Sequence, residues 1–196
     1  MKYVIASDIH GSAKYCRLLI EAFKRENADK LLLLGDILYH GPRNPLPEEY
    51  SPKDVAEMLS AIKEKIICVR GNCDADVDLM VLDFPVNVSA VISADGLDLY
   101  LEHGHKETPP LRGGSVYITG HTHVPLKETD GYVHLNPGSV SLPKEGSKNG
   151  YILYENRKFV FKDIYGEQYD CFERDCERIA VKRAPILRRK IVKRKR

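Results

Sequence analysis

Five short apolar runs in this chain each lead into a polar residue able to bind a metal, and this recurrence limits the possible folds more than any other feature. Tyr3 to Ala6 runs into Asp8 and His10, Leu31 to Leu34 into Gly35-Asp36, and Ile66 to Val69 into Gly71-Asn72. Further on, Leu97 to Leu101 precedes His103-Gly104, and Val116 to Thr119 precedes Gly120-His121-Thr122-His123. Short apolar runs bounded by turn signals read as buried strands. In open α/β sheets ligands bind in the crevice beyond the carboxyl ends of the strands, so neighbouring strands of this kind would deliver their polar ends to one spot. The adjoining glycines permit tight turns and close backbone approach.

The intervening segments support an α/β reading. Ser12 is placed to cap a segment in which Tyr15, Cys16, Leu19, Ala22 and Phe23 recur at helical spacing. Ser51-Pro52 opens a second helix with Val55, Met58, Leu59 and Ile62 on one face. Alternating strands and helices imply a buried, largely parallel sheet in the first half. The second half reads as hairpins: Val86 to Ile92 with Leu97 to Leu101 around Asp95-Gly96, Val124 to Glu128 with Tyr132 to Leu135 around Asp130-Gly131, and Tyr151 to Tyr154 with Lys158 to Phe161. From Glu167 onward, Tyr169, Phe172, Cys176, Ile179 and Ala180 return to helical spacing, with Pro185 just beyond. The expected organisation is one domain over residues 1–165, then a C-terminal helix and basic tail over 166–196.

At 196 residues and 43% hydrophobic composition the chain can bury one sizeable core. No stretch approaches the roughly 20 apolar residues of a membrane span, and Met1 to Asp8 reads as a strand rather than a signal peptide. The five cysteines, Cys16, Cys68, Cys73, Cys171 and Cys176, are odd in number and lack metal-type pairing, which argues against a disulfide framework and for a reducing compartment, the cytoplasm. The net charge of +2 conceals an asymmetry: residues 181–196 hold nine of the 30 Lys and Arg and none of the 28 Asp and Glu, leaving the preceding 180 residues at −7.

The candidate ligands form a coherent set. Asp8, Asp36 and Asn72 offer oxygen, while His10, His103, His121 and His123 offer imidazole. Seven donors exceed the needs of one tetrahedral zinc and suit a pair of five- or six-coordinate ions, with Asp36 the natural bridge. The N/O mixture without thiolate fits Mn, Fe, Zn or Ni. Two cations about 3.5–4 Å apart can make hydroxide from a shared water at neutral pH and clamp phosphoryl oxygens, so phosphate-ester hydrolysis is the natural chemistry. Taken alone, Asp8 and His10 would be helix-capping residues; the order of all five pieces along the strands overrides that reading.

In sequence order, Asp8-Ile9-His10, Gly35-Asp36, Gly71-Asn72-Cys73-Asp74, His103 and Gly120-His121-Thr122-His123 resemble the motifs of the calcineurin-like metallophosphoesterases over residues 3 to about 163. The resemblance implies a four-layer αββα sandwich, two packed mixed β-sheets flanked by helices. It also implies one metal held by Asp8, His10, Asp36 and His123 and a second by Asp36, Asn72, His103 and His121. Many members carry His beside the Asn ligand; here Cys73 stands there, and a thiol of ordinary pKa, about 8.5, is a poorer proton donor to a leaving alkoxide than imidazolium. Diesters with good leaving groups are therefore the expected substrates. The short chain, Cys73, the Tyr39-His40-Gly41-Pro42-Arg43-Asn44 loop and Asn136-Pro137-Gly138-Ser139 together are similar to the small YfcE-like branch. That resemblance implies manganese-dependent phosphodiesterase activity and a catalytic group of Asn72, Cys73 and Asp74.

Several residues retain two readings. His40 and Arg43 are candidate phosphate-binding residues or a solvated loop. Asp74 either orients a ligating His or serves a turn. His105, two residues past His103, is placed behind the ligands or in a loop. The basic tail suggests nucleic-acid phosphates as a partner but lacks aromatic residues for base stacking, leaving docking on the acidic body or disorder as the plainer reading. Beside a small phosphate-ester substrate, the expected partners include a possible homo-oligomer and no membrane. Two other classes are a non-catalytic Vps29-like interaction scaffold and a tail-directed nuclease.

Overall fold

The computed structural model describes residues 1–111 and 114–174. Strands β1 (Lys2–Ala6), β2 (Lys30–Leu33) and β3 (Ile66–Val69) lie parallel, linked by helices α1 (Ala13–Arg25) and α2 (Pro52–Ser60). The Ser12 side chain accepts a bond from the Tyr15 N–H, capping α1, and Pro52 occupies the first turn of α2, both as the sequence predicts. After the single turn α3 (Asp76–Leu79), the two-residue strand β4 (Val86–Asn87) closes one edge of this sheet.

The chain then changes sheets. Strands β5 (Ala90–Ala94), β6 (Leu97–Leu101), β7 (Val116–Ile118), β8 (Pro125–Asp130) and β9 (Tyr132–Pro137) form a five-stranded mixed sheet in the order β5-β6-β7-β9-β8. Strands β10 (Gly150–Glu155), β11 (Lys158–Asp163) and β12 (Gln168–Glu173) return to the first sheet, giving β12-β11-β10-β1-β2-β3-β4. Asp95-Gly96 and Asn156-Arg157 have positive φ at both positions, the backbone that two-residue hairpins require.

Period-two alternation divides the first sheet between two cores. Val4, Ala6, Leu31, Leu33 and Cys68 face α1 and α2, while Tyr3, Ile5, Leu32, Leu34 and Val69 face the second sheet and meet Leu99, Leu101, Val116, Ile118 and Leu135. Strands buried on both faces read as unbroken apolar runs, which is why they were visible in the sequence. The expected two packed mixed sheets are present. Among the described residues both long helices cover the outer face of the seven-stranded sheet, and no helix covers the outer face of the other.

Two expectations are corrected. Val86 to Ile92 is not one hairpin arm: Val86–Asn87 pairs with β3, and only Ala90–Ala94 pairs with β6. The expected helix from Glu167 begins instead as strand β12, antiparallel to β11. The register shifts between Phe161 and Lys162, whose partners are Asp170 and Gln168, so Tyr169 is the extra residue of a bulge. That insertion puts Tyr169 and Phe172, three apart, against the same core, where they meet Phe161 and Phe159. A bulged strand thus mimics helical spacing. The remainder of the expected helix and the basic tail lie outside the described residues.

Candidate metal centre

The loops that follow β2, β3 and β7 line one cleft of about 780 Å³, and the buried Asp8, His10 and His103, which follow β1 and β6, pack against its donors from beneath. Of the non-glycine residues with positive φ, Asp8 (59°), His10 (50°), Asp36 (55°), His121 (68°) and His123 (63°) are five of the seven expected ligands. Left-handed backbone costs a non-glycine residue about 1–3 kcal/mol and persists where surrounding structure enforces it. Here it lets the chain turn sharply at the strand ends. The enforcement is visible at Asp8, whose carbonyl accepts the hydroxyls of Ser139 (2.8 Å) and Ser141 (3.1 Å), and whose Oδ2 accepts the His121 N–H (3.0 Å).

Three imidazoles are fixed from behind. Nδ1 of His10, His103 and His123 lies 2.9, 2.7 and 2.7 Å from the carbonyl oxygens of Tyr39, Leu34 and Leu142. A carbonyl only accepts, so each Nδ1 carries a proton, which leaves each Nε2 as the nitrogen whose lone pair is free to ligate when the ring is neutral, as in a ligating histidine. Those lone pairs then face other acceptors. His10 Nε2 lies 3.1 Å from His123 Nε2, and His103 Nε2 lies 3.0 Å from Asn72 Oδ1 and 3.4 Å from Asp36 Oδ2. Asp8 Oδ1, fully buried and without a hydrogen-bond partner, sits 3.5 Å from His10 Nε2 and 3.3 Å from His123 Nε2.

With the rings neutral these are buried acceptors facing one another, which is unfavourable unless added positive charge, a proton or a metal cation, lies between them. The electrostatics agree: burial alone would raise the Asp8 and Asp36 carboxyls, yet His10 and His123 beside the first and His103 beside the second hold both below the usual carboxylate range. Burial would likewise lower the imidazoles, but Asp8 raises His10, and Asp36 with Asp8 brings His103 up to about 9. Every one of these shifts favours added positive charge. Donor atoms close enough to share an ion occur as Asp8, His10 and His123, as Asp8, Asp36 and His103, and as His10, Asp36 and Cys73.

The remaining candidates fall in distinct places. His121 lines the cleft with its ring centroid 5.1 Å from that of His103; burial and then His103 lower its pKa. His105 is an exposed loop residue whose ring centroid lies 5.4 Å from that of His103. Cys73 lines the cleft, and burial, then Asp36 and Asp74, push its thiol up to about 12, so it holds its proton. Asp74, expected among the catalytic residues, does not face a histidine: Oδ2 accepts the N–H groups of Asp36 (2.9 Å) and Gly71 (2.7 Å), and Oδ1 that of Ile37 (2.8 Å). It ties the loop after β2 to the loop after β3. Asp74→Ala would leave three buried N–H groups without acceptors, at about 1–3 kcal/mol each. The expected result is a lower midpoint in urea unfolding and weaker metal binding; an unchanged midpoint would remove this clamp role.

Arg43 lines the cleft, but His40 does not; its ring stands edge-on to Tyr39 and Tyr50, 4.8 and 5.2 Å away. Sequence reasoning passed over Arg70 and Lys144, which also line the cleft. Arg70 directly precedes Gly71-Asn72 and was in principle visible, whereas Lys144 lies in a loop without a motif. Asn136, expected only as part of a family pattern, donates to the Gly120 carbonyl (2.6 Å) and so holds the turn that carries His121.

Two sheets meeting over buried carboxylates and Nε2-exposed histidines define a metal-dependent phosphoesterase. The chain belongs to the calcineurin-like phosphoesterase superfamily, whose domain matches residues 1–158. Phosphodiesterase YfcE of Escherichia coli (strain K12) is 44% identical over 162 residues, 80% of this chain and 88% of that protein. The solved structure of YfcE, described as a phosphoesterase from E. coli, matches with a TM-score of 0.84 and 38% identity, covering 88% of this chain and 98% of that one. Zinc-bound Vps29 from Entamoeba histolytica shares the fold, with a TM-score of 0.53 and 18% identity over 82% of this chain and 89% of that one. Family membership implies use of divalent metal. Among the described residues no helix is long and apolar enough to cross a membrane.

Proposed function

We propose that this protein is a phosphodiesterase that binds two divalent cations, one held by Asp8, His10, Asp36 and His123 and the other by Asp36, Asn72, His103 and His121. The observation that carries this reading is the set of buried donor atoms facing one another, with Asp8 Oδ1 lacking a hydrogen-bond partner among the described residues. When bound, the cations supply an activated water and neutralise charge on the phosphoryl oxygens. Mn is the first choice of metal, with Zn, Fe or Ni also suited to the donors. The chain's own residues fix the donors. The carbonyls of Tyr39, Leu34 and Leu142 set the imidazole tautomers, the Cys73 N–H holds Asp36 Oδ1 at 2.8 Å, and Asp74 locks the two loops together. Asn72 and Cys73 stand at the mouth, where the leaving group departs. The free thiols among the described cysteines are in keeping with a cytoplasmic address.

The diester preference rests on Cys73. A thiol is a weak proton donor to a departing alkoxide, so esters with acidic leaving groups are favoured. With Mn²⁺ present, bis-p-nitrophenyl phosphate should be hydrolysed well and alkyl phosphomonoesters poorly. Cys73→His should raise turnover of esters with poor leaving groups by about 10²-fold, at the lower end of what a positioned general acid contributes. A wild-type enzyme that cleaves alkyl monoesters as fast as the aryl diester would contradict the preference. A Vps29-like scaffold is disfavoured by the intact donor set; it predicts inactivity with every divalent metal. The nuclease reading depends on residues 181–196, outside the described residues, and predicts steeply salt-dependent nucleic-acid binding that vanishes on their removal.

A further inference from the structure

The rim of the cleft carries more positive charge than a simple diester can use. Arg43, Arg70 and Lys144 all line it. Arg70 is committed elsewhere: its Nε donates to the Asp74 carbonyl at 2.8 Å, and its guanidinium pairs with Asp76 at 2.8 Å. Arg43 and Lys144 have no ion-pair partner among the described residues. Among the described residues the only cleft-lining carboxylates, Asp36 and Asp74, are buried and already accept backbone N–H groups. Two unpaired cations at one cleft are notable on a body whose first 180 residues carry a net −7.

Both cations are anchored to ligand-bearing segments. Lys144 donates its backbone N–H to the His123 carbonyl at 3.2 Å, and its own carbonyl accepts the Ser147 hydroxyl at 2.6 Å. The Arg43 loop is pressed against the site at Gly41, where a Cβ would come within 2.8 Å of Cys73 Sγ, and is braced by Asn44 Nδ2 donating to the His40 carbonyl at 2.9 Å. The single negative charge of a phosphodiester is met at the metal centre. A cleft of about 780 Å³ also holds much more than the scissile group.

We infer that Arg43 and Lys144 form a second anion subsite, and that the natural substrate is a phosphodiester carrying a further phosphate or carboxylate a few bonds from the scissile phosphorus. This rests on the diesterase reading above and adds the substrate class. Cations at a mouth raise both encounter rate and affinity for such an anion, and salt weakens the effect.

The test uses three p-nitrophenyl alkyl phosphodiesters that differ only at the far end of the alkyl chain: methyl, carboxylate or phosphate. In the Mn²⁺-loaded wild type, the anionic ends should raise kcat/KM about tenfold through KM, and 0.5 M NaCl should erase the gain. In Arg43→Ala/Lys144→Ala the ratio of kcat/KM between charged and neutral substrates should fall to about one, and Arg43→Lys should keep part of it. A gain with phosphate alone selects a dianion and a gain with both selects any carboxylate-like charge; each supports the subsite. Equal kcat/KM for all three in the wild type, or a preference that survives in the double variant, overturns it. Calorimetric titration with ethylene glycol bisphosphate against ethyl phosphate reads the same cations without turnover. If no diester is cleaved, the diesterase reading falls alone: tighter bisphosphate binding in the wild type but not the double variant still supports the subsite, and equal binding overturns it.

Discussion

Asp36→Asn should reduce turnover of bis-p-nitrophenyl phosphate at least a thousandfold, about 4 kcal/mol of transition-state stabilisation. The substitution keeps size and shape but removes the one carboxylate assigned to both cations. Asp36 Oδ2 lies 3.7 Å from His10 Nε2 and 3.4 Å from His103 Nε2, between the two halves of the donor set. Its other oxygen is already held by the Cys73 N–H, so the side chain cannot swing to compensate. The variant should also bind fewer than two Mn²⁺ per chain by equilibrium dialysis, while its unfolding midpoint in the absence of metal stays within a few degrees of the wild type. A variant with wild-type metal content and a rate within tenfold would show that Asp36 does not bridge.

Gly71→Ala should be strongly damaging for a single added methyl. A Cβ at residue 71 would lie 2.0 Å from Asp36 Oδ1 and 2.4 Å from the Asp36 nitrogen. Neither neighbour can yield: the nitrogen donates to Asp74 and the carboxylate accepts from Cys73. Gly35 faces the same junction at φ +95°, where a Cβ would meet the Gly71 nitrogen at 2.4 Å. The loops after β2 and β3 thus pass backbone against backbone. Overpacking commonly costs about 1–3 kcal/mol. With backbone on both sides the upper end applies, and in a chain of this size that lowers Tm by roughly 6–12 °C. Metal binding should fall with it. Differential scanning calorimetry with and without Mn²⁺ reads both effects; a Tm within 2 °C of the wild type and intact binding would show that the loops can separate.

The candidate site was legible in the sequence because its donor residues fall at strand ends. Asp8, His10, Asp36, Asn72, His121 and His123 follow apolar runs that are buried largely on both faces, the easiest strands to recognise, and His103 follows β6, which alternates buried leucines with more exposed residues. What escaped were features set by register and tertiary contact. The bulge at Tyr169 gives a strand the spacing of a helix. The passage from β4 to β5 occurs inside Val86 to Ile92 without a glycine or proline to mark it. Asp74 was recognised as important, but a carboxylate that binds three backbone N–H groups has the same one-letter signature as one that orients a histidine. His40 and Arg43 sit in one loop of matching polarity, and only the packing of His40 between Tyr39 and Tyr50 separates them.

The binding of two cations within contact of one bridging carboxylate is tested most directly by loading metal-stripped protein with Mn²⁺ and recording its electron paramagnetic resonance spectrum during the titration. Two ions per chain, with the multiline signal of a spin-coupled pair in the wild type and its loss in Asp36→Asn, is the predicted result. A single ion per chain, or two that remain magnetically independent, would contradict it.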